Sequence, residues 1–178
     1  MPASKAIVIT GASTGIGRAC ALHLDRLGFR VFAGIRNTLD GEALQETASE
    51  RLQPVYLDVT NRKSIHTAAN IVEAGCRVSG LSGLVNNAGI VIAGPLEFLP
   101  LDSLRSQLET NVVGQIAVTQ ALLALLRRAR GRIINMSSVS GRVAAPFLGP
   151  YAASKFALEA LSDSMRLELR PWGISVSV

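Results

Sequence analysis

The sequence predicts an α/β fold, a doubly wound parallel sheet with helices on both faces. Segments with strand-like and helix-like apolar spacing alternate along the chain, as expected of strands joined by helical crossovers. The strand-like segments are largely unbroken apolar runs, typical of strands that helices cover on both faces. A glycine-rich turn joins the first strand to the first helix.

Six strands and five helices are predicted in alternation. The strands are expected at residues 5–10, 30–35, 54–58, 83–87, 132–137 and 174–178. The helices are expected at residues 17–27, 41–51, 62–74, 101–130 and 151–170. Crossovers of one hand give three layers and the strand order 3-2-1-4-5-6. Because the chain contains no repeat or linker, we expect a single domain over residues 1–178.

Composition excludes several classes of protein. With 178 residues, 48% hydrophobic and 17% charged, the chain is not disordered or fibrous. Its two cysteines, Cys20 and Cys76, cannot form a disulfide framework, and His23 and His66 lack metal-ligand spacing. We therefore expect no metal and a reducing, cytoplasmic location. No run approaches the 18 apolar residues of a membrane span, so no membrane partner is expected.

The net charge of +5 raises the question of nucleic-acid binding. The densest basic cluster is Arg127, Arg128, Arg130 and Arg132, which follows an apolar helical segment. Cations are favoured at a helix C-terminus, and an aromatic content of 4% offers little for stacking on bases. We interpret the cluster as helix-end cations and expect no nucleic-acid partner.

The turn at residues 10–17, Thr-Gly-Ala-Ser-Thr-Gly-Ile-Gly, has the composition of a pyrophosphate-binding loop. Gly11 suits a sharp turn, Gly15 lets the main chain approach a phosphate, and Gly17 lets the helix pack on the strand. Unpaired N–H groups at the helix start favour an anion. The glycine spacing differs from the common dinucleotide fingerprint, and an ordinary strand-to-helix turn is the alternative.

The residue after the second strand bears on the choice between NAD and NADP. An acidic residue there would bind the ribose 2′-hydroxyl of NAD, whereas an arginine favours the 2′-phosphate of NADP. The strand ends in Ile35 and Arg36 with no acid, and a guanidinium can hold a phosphate through paired N–H groups. We expect NADP(H); NAD(H), with Arg36 a simple surface residue, stays open.

The segment Tyr-Ala-Ala-Ser-Lys at residues 151–155 carries the candidate reacting group. Pro150 suits a helix start, which places Tyr151 in the first turn and Lys155 one turn later on the same face. A free tyrosine has a pKa of about 10, and a neighbouring ammonium stabilises the phenolate. Taken alone, such a pair is more often an ordinary surface pair.

Three further features accompany this pair. Ser138 follows the fifth strand, thirteen residues before Tyr151, and its hydroxyl can bind a carbonyl oxygen. Residues 86–89, Asn-Asn-Ala-Gly, end the fourth strand and suit the floor of a nucleotide cleft. Asn111 interrupts a long helix whose other middle positions are mostly apolar. An amide side chain is unfavourable there unless it has a specific role.

Together these features resemble the short-chain dehydrogenase/reductase family over essentially the whole chain. The resemblance implies that Tyr151 is the acid/base, that Lys155 stabilises its phenolate and binds the nicotinamide ribose, and that Ser138 positions the carbonyl. It also implies that Asn111 holds a water in the proton relay and that Asp58 contacts the adenine ring. The cofactor-binding residues expected from the turn, the second strand and the resemblance are Gly11, Ser13, Thr14, Gly15, Ile16, Gly17, Arg36, Asp58, Val59, Asn87, Ala88, Gly89, Tyr151 and Lys155.

The resemblance implies reversible hydride transfer between nicotinamide C4 and a carbonyl or alcohol carbon. The apolar segments 91–96 and 143–148 are expected to border the substrate, which favours an apolar alcohol or ketone; packing on the core is the alternative. The chain looks like the branch that contains hydroxysteroid, retinol and hydroxybutyrate dehydrogenases.

The resemblance also concerns assembly and the end of the chain. Helices 101–130 and 151–170 look like the family's interface helices, which implies a homodimer or homotetramer. Members of the family usually continue past the sixth strand into a substrate loop and a further strand, so we expect that portion to be missing after residue 178. A cofactor-binding module without turnover is therefore the alternative function.

Overall fold

In a computed structural model, which describes residues 5–178, six parallel strands form one sheet with the order β3-β2-β1-β4-β5-β6. The strands are β1 (Ala6–Ile9), β2 (Arg30–Ile35), β3 (Leu52–Tyr56), β4 (Gly83–Asn86), β5 (Arg132–Asn135) and β6 (Ser175–Ser177). The helices are α1 (Gly15–Arg26), α2 (Thr38–Gln45), α3 (Arg62–Cys76), α4 (Leu101–Leu108), α5 (Gly114–Ala129) and α6 (Gly149–Glu168). The predicted fold class and strand order are confirmed.

Two apolar clusters cover the two faces of the sheet. On one face, side chains of α3 and α5 pack on Phe32 and Leu84. On the other face, side chains of α1 and α2 pack on Ile9 and Val31. Burial on both faces explains why the strands are nearly continuous apolar runs.

Helix α2 departs from its predicted bounds of 41–51. It begins earlier, because the side chain of Asn37 caps it by accepting the N–H of Leu39 at 3.0 Å. It ends earlier, and the backbone N–H and hydroxyl of Ser49 bind the buried carboxylate of Asp25 on α1 at 2.8 and 2.5 Å. The other predicted elements begin and end within two residues of the observed ones.

The predicted helix over residues 101–130 contains an irregular turn. Helices α4 and α5 are continuous through a π-helical turn, Glu109–Val113, which contains the buried Asn111. The combined helix Leu101–Ala129 has an 18-residue window of mean hydropathy 1.2, so by length and composition it would suffice to cross a membrane. This differs from our expectation that no segment approaches a membrane span. A core helix of a soluble protein meets the same criterion, and here the helix packs against α3 and α6.

The arginine cluster lies around the end of α5. Arg127 stacks over the ring of Trp172, with 4.2 Å between the guanidinium carbon and the ring centroid. Arg128 donates a hydrogen bond to the backbone carbonyl of Arg77. Both arginines belong to the last turn of α5, where the helix dipole favours cations, as the sequence suggested.

Candidate active site

The glycine-rich turn has the backbone that its sequence predicts. Gly11 and Gly15 have φ values of 64° and 54°, a left-handed conformation that is costly for other residues. A Cβ on Gly17 would lie 2.5 Å from Nδ2 of Asn87 and even closer to the carbonyl oxygen of Gly11. Helix α1 starts at Gly15 without a side-chain cap, so its first N–H groups remain available to an anion.

Hydrogen bonds join this turn to the end of β4. The hydroxyl of Thr10 accepts the backbone N–H groups of Asn87 and Ala88 at 3.0 and 2.9 Å. In return, Nδ2 of Asn87 donates to the carbonyls of Thr10 and Gly11 at 3.0 and 2.9 Å. The side-chain amide hydrogens of Asn87 therefore hold the floor of the cleft and are not free for a ligand.

A cleft of about 220 Å³, partly open to solvent, lies at the carboxyl ends of β1, β2, β3 and β4. The predicted residues that line it are Gly11, Ser13, Thr14, Arg36, Asp58, Val59, Asn87, Ala88 and Gly89. Gly15, Ile16, Gly17, Tyr151 and Lys155 do not line it. The lining residues that the sequence analysis missed are Gly34, Leu57, Thr60, Ile90 and Thr110, most of them next to predicted ones.

Arg36 and Asp58 both line this cleft. Arg36 is exposed directly after β2 and makes no salt bridge among residues 5–178. Oδ1 of Asp58 accepts the backbone N–H and the hydroxyl of Thr60 at 2.9 and 2.7 Å. The Asp58 carboxylate is therefore oriented by its own loop, whereas the Arg36 guanidinium is unpaired in the described part of the chain.

Tyr151 and Lys155 lie one turn apart near the start of α6, with Pro150 at the helix start as predicted. Nζ of Lys155 lies 5.7 Å from the centroid of the Tyr151 ring and donates a 2.5 Å hydrogen bond to the carbonyl of Met136. Lys155 is only 5% exposed, and burial lowers the pKa of its ammonium. The structure thus brings a desolvated cation against a half-buried phenol.

Ser138 follows β5 and caps a short 3₁₀ turn, Val139–Gly141. Its Oγ accepts the backbone N–H of Ser140 at 3.2 Å, and its side chain is half-buried. Because a hydroxyl has one donor besides its acceptors, the Ser138 hydrogen remains available for a carbonyl oxygen.

Asn111 is fully buried in the π-helical turn. Its Nδ2 donates to the carbonyl of Ile90 and to Oγ of Ser154, each at 3.0 Å, and its Oδ1 accepts the N–H of Ile90 at 2.8 Å. Both amide hydrogens are therefore used by protein groups. The side chain joins the segment after β4 to α6, and single-turn π segments of this kind are frequent at functional sites.

The two apolar segments that were expected to border the substrate meet in the structure. The N–H of Gly94 donates to the carbonyl of Phe147 at 2.8 Å. Phe147 has a φ of 67°, unusual for a bulky residue, and the residue is 63% exposed. Leu96 and Val143 are similarly exposed, so the two segments are not simply packed on the core.

A glycine turn at the start of α1 and a cleft at the carboxyl ends of parallel strands are the features of a dinucleotide-binding α/β fold, and a Tyr–Lys pair lies one turn apart on α6. The chain belongs to the short-chain dehydrogenase family, whose model matches residues 5–178.

The chain also resembles individual curated proteins. The chain is 49% identical to retinol dehydrogenase 5 of Homo sapiens over 180 residues, which cover all of this chain and 56% of that protein. It is 41% identical over 180 residues to mitochondrial D-beta-hydroxybutyrate dehydrogenase of Mus musculus, covering 98% of this chain and 52% of that one. The chain thus spans about half the length of the curated relatives it matches.

Solved structures agree with the fold. A short-chain dehydrogenase from Streptomyces avermitilis superposes with a TM-score of 0.91 at 35% identity, covering 98% of this chain and 64% of that one. An alcohol dehydrogenase from Thermococcus sibiricus, complexed with 5-hydroxy-NADP, has a TM-score of 0.86 at 30% identity and covers 93% of this chain and 71% of that one. Nicotinamide dinucleotides are thus the cofactor class of the family and its neighbours.

Proposed function

We propose that this protein is an NADP(H)-dependent oxidoreductase that interconverts a carbonyl and a secondary alcohol on an apolar small molecule. The observation that carries the proposal is the buried Lys155 ammonium, 5.7 Å from the Tyr151 ring centroid. A buried cation beside the ring stabilises the negative charge that develops when a proton is transferred, and water screens it less than it would screen an exposed cation.

The protein's own groups have separate roles in the reaction. A bound nicotinamide dinucleotide supplies or accepts hydride at its C4 atom. Ser138 donates a hydrogen bond to the carbonyl oxygen, and Tyr151 donates its proton to that oxygen as negative charge develops on it. The Lys155 ammonium stabilises the phenolate that remains. Asn111 contributes by joining the segment after β4 to α6, since both of its amide hydrogens are bonded within the protein and are not free for a relay water.

The preference for NADP(H) over NAD(H) rests on Arg36. Arg36 is exposed and lines the same cleft as Gly11, Ser13 and Thr14 of the glycine turn, and no carboxylate follows β2 directly. An unpaired guanidinium attracts a 2′-phosphate, while a 2′-hydroxyl needs an acceptor at the same place.

The apolar character of the substrate rests on the segments 91–96 and 143–148. Leu96, Val143 and Phe147 are each more than 60% exposed, and the Gly94–Phe147 hydrogen bond joins the two segments that carry them. Apolar walls with a few directed polar groups are typical of sites for apolar alcohols and ketones.

We also propose a homodimer or homotetramer in the cytoplasm. Apolar side chains are exposed on α6, at Phe156, Leu161 and Leu167, and at Val113 of the neighbouring helix. Exposed apolar side chains favour self-association, which sedimentation of Phe156→Glu beside the unchanged protein tests. The cytoplasmic location rests on two thiols without a disulfide, and fractionation of cells tests it.

The experiment that tests the function follows NADPH absorbance with a panel of apolar ketones. Tyr151→Phe should reduce turnover about 10²- to 10⁴-fold, the usual contribution of an acid/base group, without weakening NADPH binding. Tyr56→Phe, at an exposed tyrosine on β3, is the matched control and should keep full activity. NADPH binding without turnover on any ketone would instead favour a cofactor-binding module, and equal turnover of Tyr151→Phe and the unchanged protein would refute the assignment of Tyr151.

A further inference from the structure

The long helix Leu101–Ala129 carries a buried row of polar side chains. Gln107, Asn111, Gln115 and Thr119 recur every four residues, and none is more than 3% exposed. Buried amides must be hydrogen-bonded to be tolerated, so this row needs partners on the element that faces it.

The hydrogen-bond partners lie on the segment that follows β4. For each four residues towards the C-terminus of the helix, the partner lies two residues closer to the N-terminus of that segment. Gln107 accepts the N–H of Ile92 at 2.6 Å and donates to the carbonyl of Ile90 at 2.7 Å. Asn111 bonds the N–H and carbonyl of Ile90. Gln115 donates to the carbonyl of Ala88 at 2.9 Å.

The last residue of the row bonds to β4 itself. Oγ1 of Thr119 accepts a hydrogen bond from Nδ2 of Asn86, the final residue of β4, at 3.0 Å. Four α-helical residues rise by about 6.0 Å, and two extended residues by about 6.6 Å. An extended segment antiparallel to the helix therefore stays in register with every fourth side chain. The polar row thus acts as a substitute for a neighbouring strand.

Segment 88–92 depends on this substitute. Among the described residues 5–178, its backbone makes no hydrogen bond to another backbone group. A partly buried segment must satisfy its backbone polar groups in some other way, and here side chains do so. The same segment supplies Ala88, Gly89 and Ile90 to the wall of the cleft.

We propose that Gln107 and Gln115 are positioning residues that hold segment 88–92 as the wall of the dinucleotide cleft and thereby set the affinity for the dinucleotide. The inference rests on the proposed function for the identity of the ligand, but the hydrogen bonds that hold segment 88–92 are present whatever the ligand is. Gln107 acts through Ile90 and Ile92, and Gln115 acts through Ala88.

The first test measures amide hydrogen exchange in the cofactor-free protein. Gln107→Met keeps the length of the side chain but removes the acceptor of the Ile92 N–H. Exchange in residues 90–92 should accelerate about tenfold, the factor that corresponds to about 1.4 kcal/mol, with smaller changes in the β strands. Gln120→Met is the matched control, because Gln120 lies on the same helix, is exposed, and makes no side-chain hydrogen bond among the described residues.

The second test titrates NADPH against each variant and separates KM from kcat. Gln107→Met and Gln115→Met should each raise the dissociation constant and the KM for NADPH about five- to tenfold, with kcat at saturation within about twofold. Gln115→Met also keeps the proposal testable if Gln107→Met does not fold.

The outcomes are distinct. Unchanged exchange in Gln107→Met would refute the hold on the segment, whatever the protein catalyses. A uniform increase in exchange over the sheet, with unchanged NADPH affinity, would mean that the polar row only stabilises the fold as a whole. That result would overturn the positioning role. Faster local exchange and weaker NADPH binding support the inference even if no ketone is turned over, in which case only the proposed function fails.

Discussion

Nζ of Lys155 donates a hydrogen bond to the backbone carbonyl of Met136, which ties helix α6 to the segment after β5. Ser138 lies two residues beyond Met136, so the same contact sets the cation of α6 in relation to the serine. The hydrogen bond to Met136 thus fixes the position of the charged Nζ atom. The cost is the burial of an ammonium, which its lowered pKa reflects.

We predict that replacing this lysine changes how stability depends on pH. Burial lowers the pKa of Lys155 below its ordinary value of 10.5, so between the two values the unfolded chain holds a proton that the folded chain has lost. The lysine's contribution to the free energy of unfolding therefore rises with pH across that window and is lost as pH falls through the folded pKa. Lys155→Met removes this contribution along with turnover. Denaturant melts from pH 7 to 10.5 measure it.

Lys63→Met is the control for this prediction, since Lys63 is an exposed residue of α3. The stability difference between the unchanged protein and Lys155→Met should grow in favour of the unchanged protein as pH rises. A constant difference over the whole range would mean that burial does not perturb the lysine.

A second prediction concerns the discrimination between the two dinucleotides. Arg36→Ala should raise the dissociation constant of NADPH about tenfold or more, the usual loss for a hydrogen bond to a charged group, and leave that of NADH nearly unchanged. Fluorescence titration with both dinucleotides measures this. Arg26→Ala removes an exposed arginine from α1 and should alter neither constant. If Arg36→Ala weakened both dinucleotides equally, Arg36 would not contact the 2′-phosphate.

A third prediction concerns the packing of the glycine turn. Gly17→Ala would place a Cβ 2.5 Å from Nδ2 of Asn87 and closer still to the Gly11 carbonyl, where the backbone cannot yield cheaply. We expect a loss of about 1–3 kcal/mol in the free energy of unfolding and loss of dinucleotide binding. Gly83→Ala on β4 is the control, because its nearest atom, on Ile7, would lie at an ordinary 3.5 Å. Equal thermal stability of the two variants would contradict the close approach.

A fourth prediction concerns a buried hydrogen bond between β5 and α6. Oγ of Ser162 accepts Nδ2 of Asn135 at 2.8 Å. Ser162→Ala leaves that buried amide hydrogen without a partner and should cost about 1–3 kcal/mol in denaturant unfolding. Ser164→Ala, on the exposed side of the same helix, should cost almost nothing. A loss below 0.5 kcal/mol for Ser162→Ala, within the ordinary range of surface substitutions, would show that the amide finds another partner.

The parallel sheet and most element bounds were predictable because they depend on local periodicity. Apolar runs separated by helical spacing require no knowledge of remote contacts. The end of α2 was not predictable in this way. Ser49 leaves the helical pattern beside Asp25, and the two residues are far apart in the sequence.

The candidate site divides along the same line. The positive φ values of Gly11 and Gly15 follow from the residue type, and the common face of Tyr151 and Lys155 follows from helical spacing. The π-helical turn around Asn111 does not follow from either, because it accompanies contacts with Ile90 and Ser154.

Residue types and their spacing were therefore sufficient for the strands and helices, the glycine-rich turn and the pairing of a phenol with an amine, since each depends on sterics within a few residues. Folding of the whole chain decided how deeply the amine of Lys155 is buried, which residues complete the cleft, and how the row from Gln107 to Thr119 meets the chain leaving β4. These properties depend on contacts between residues remote in the sequence, and desolvation and hydrogen-bond register exist only once those residues have come together.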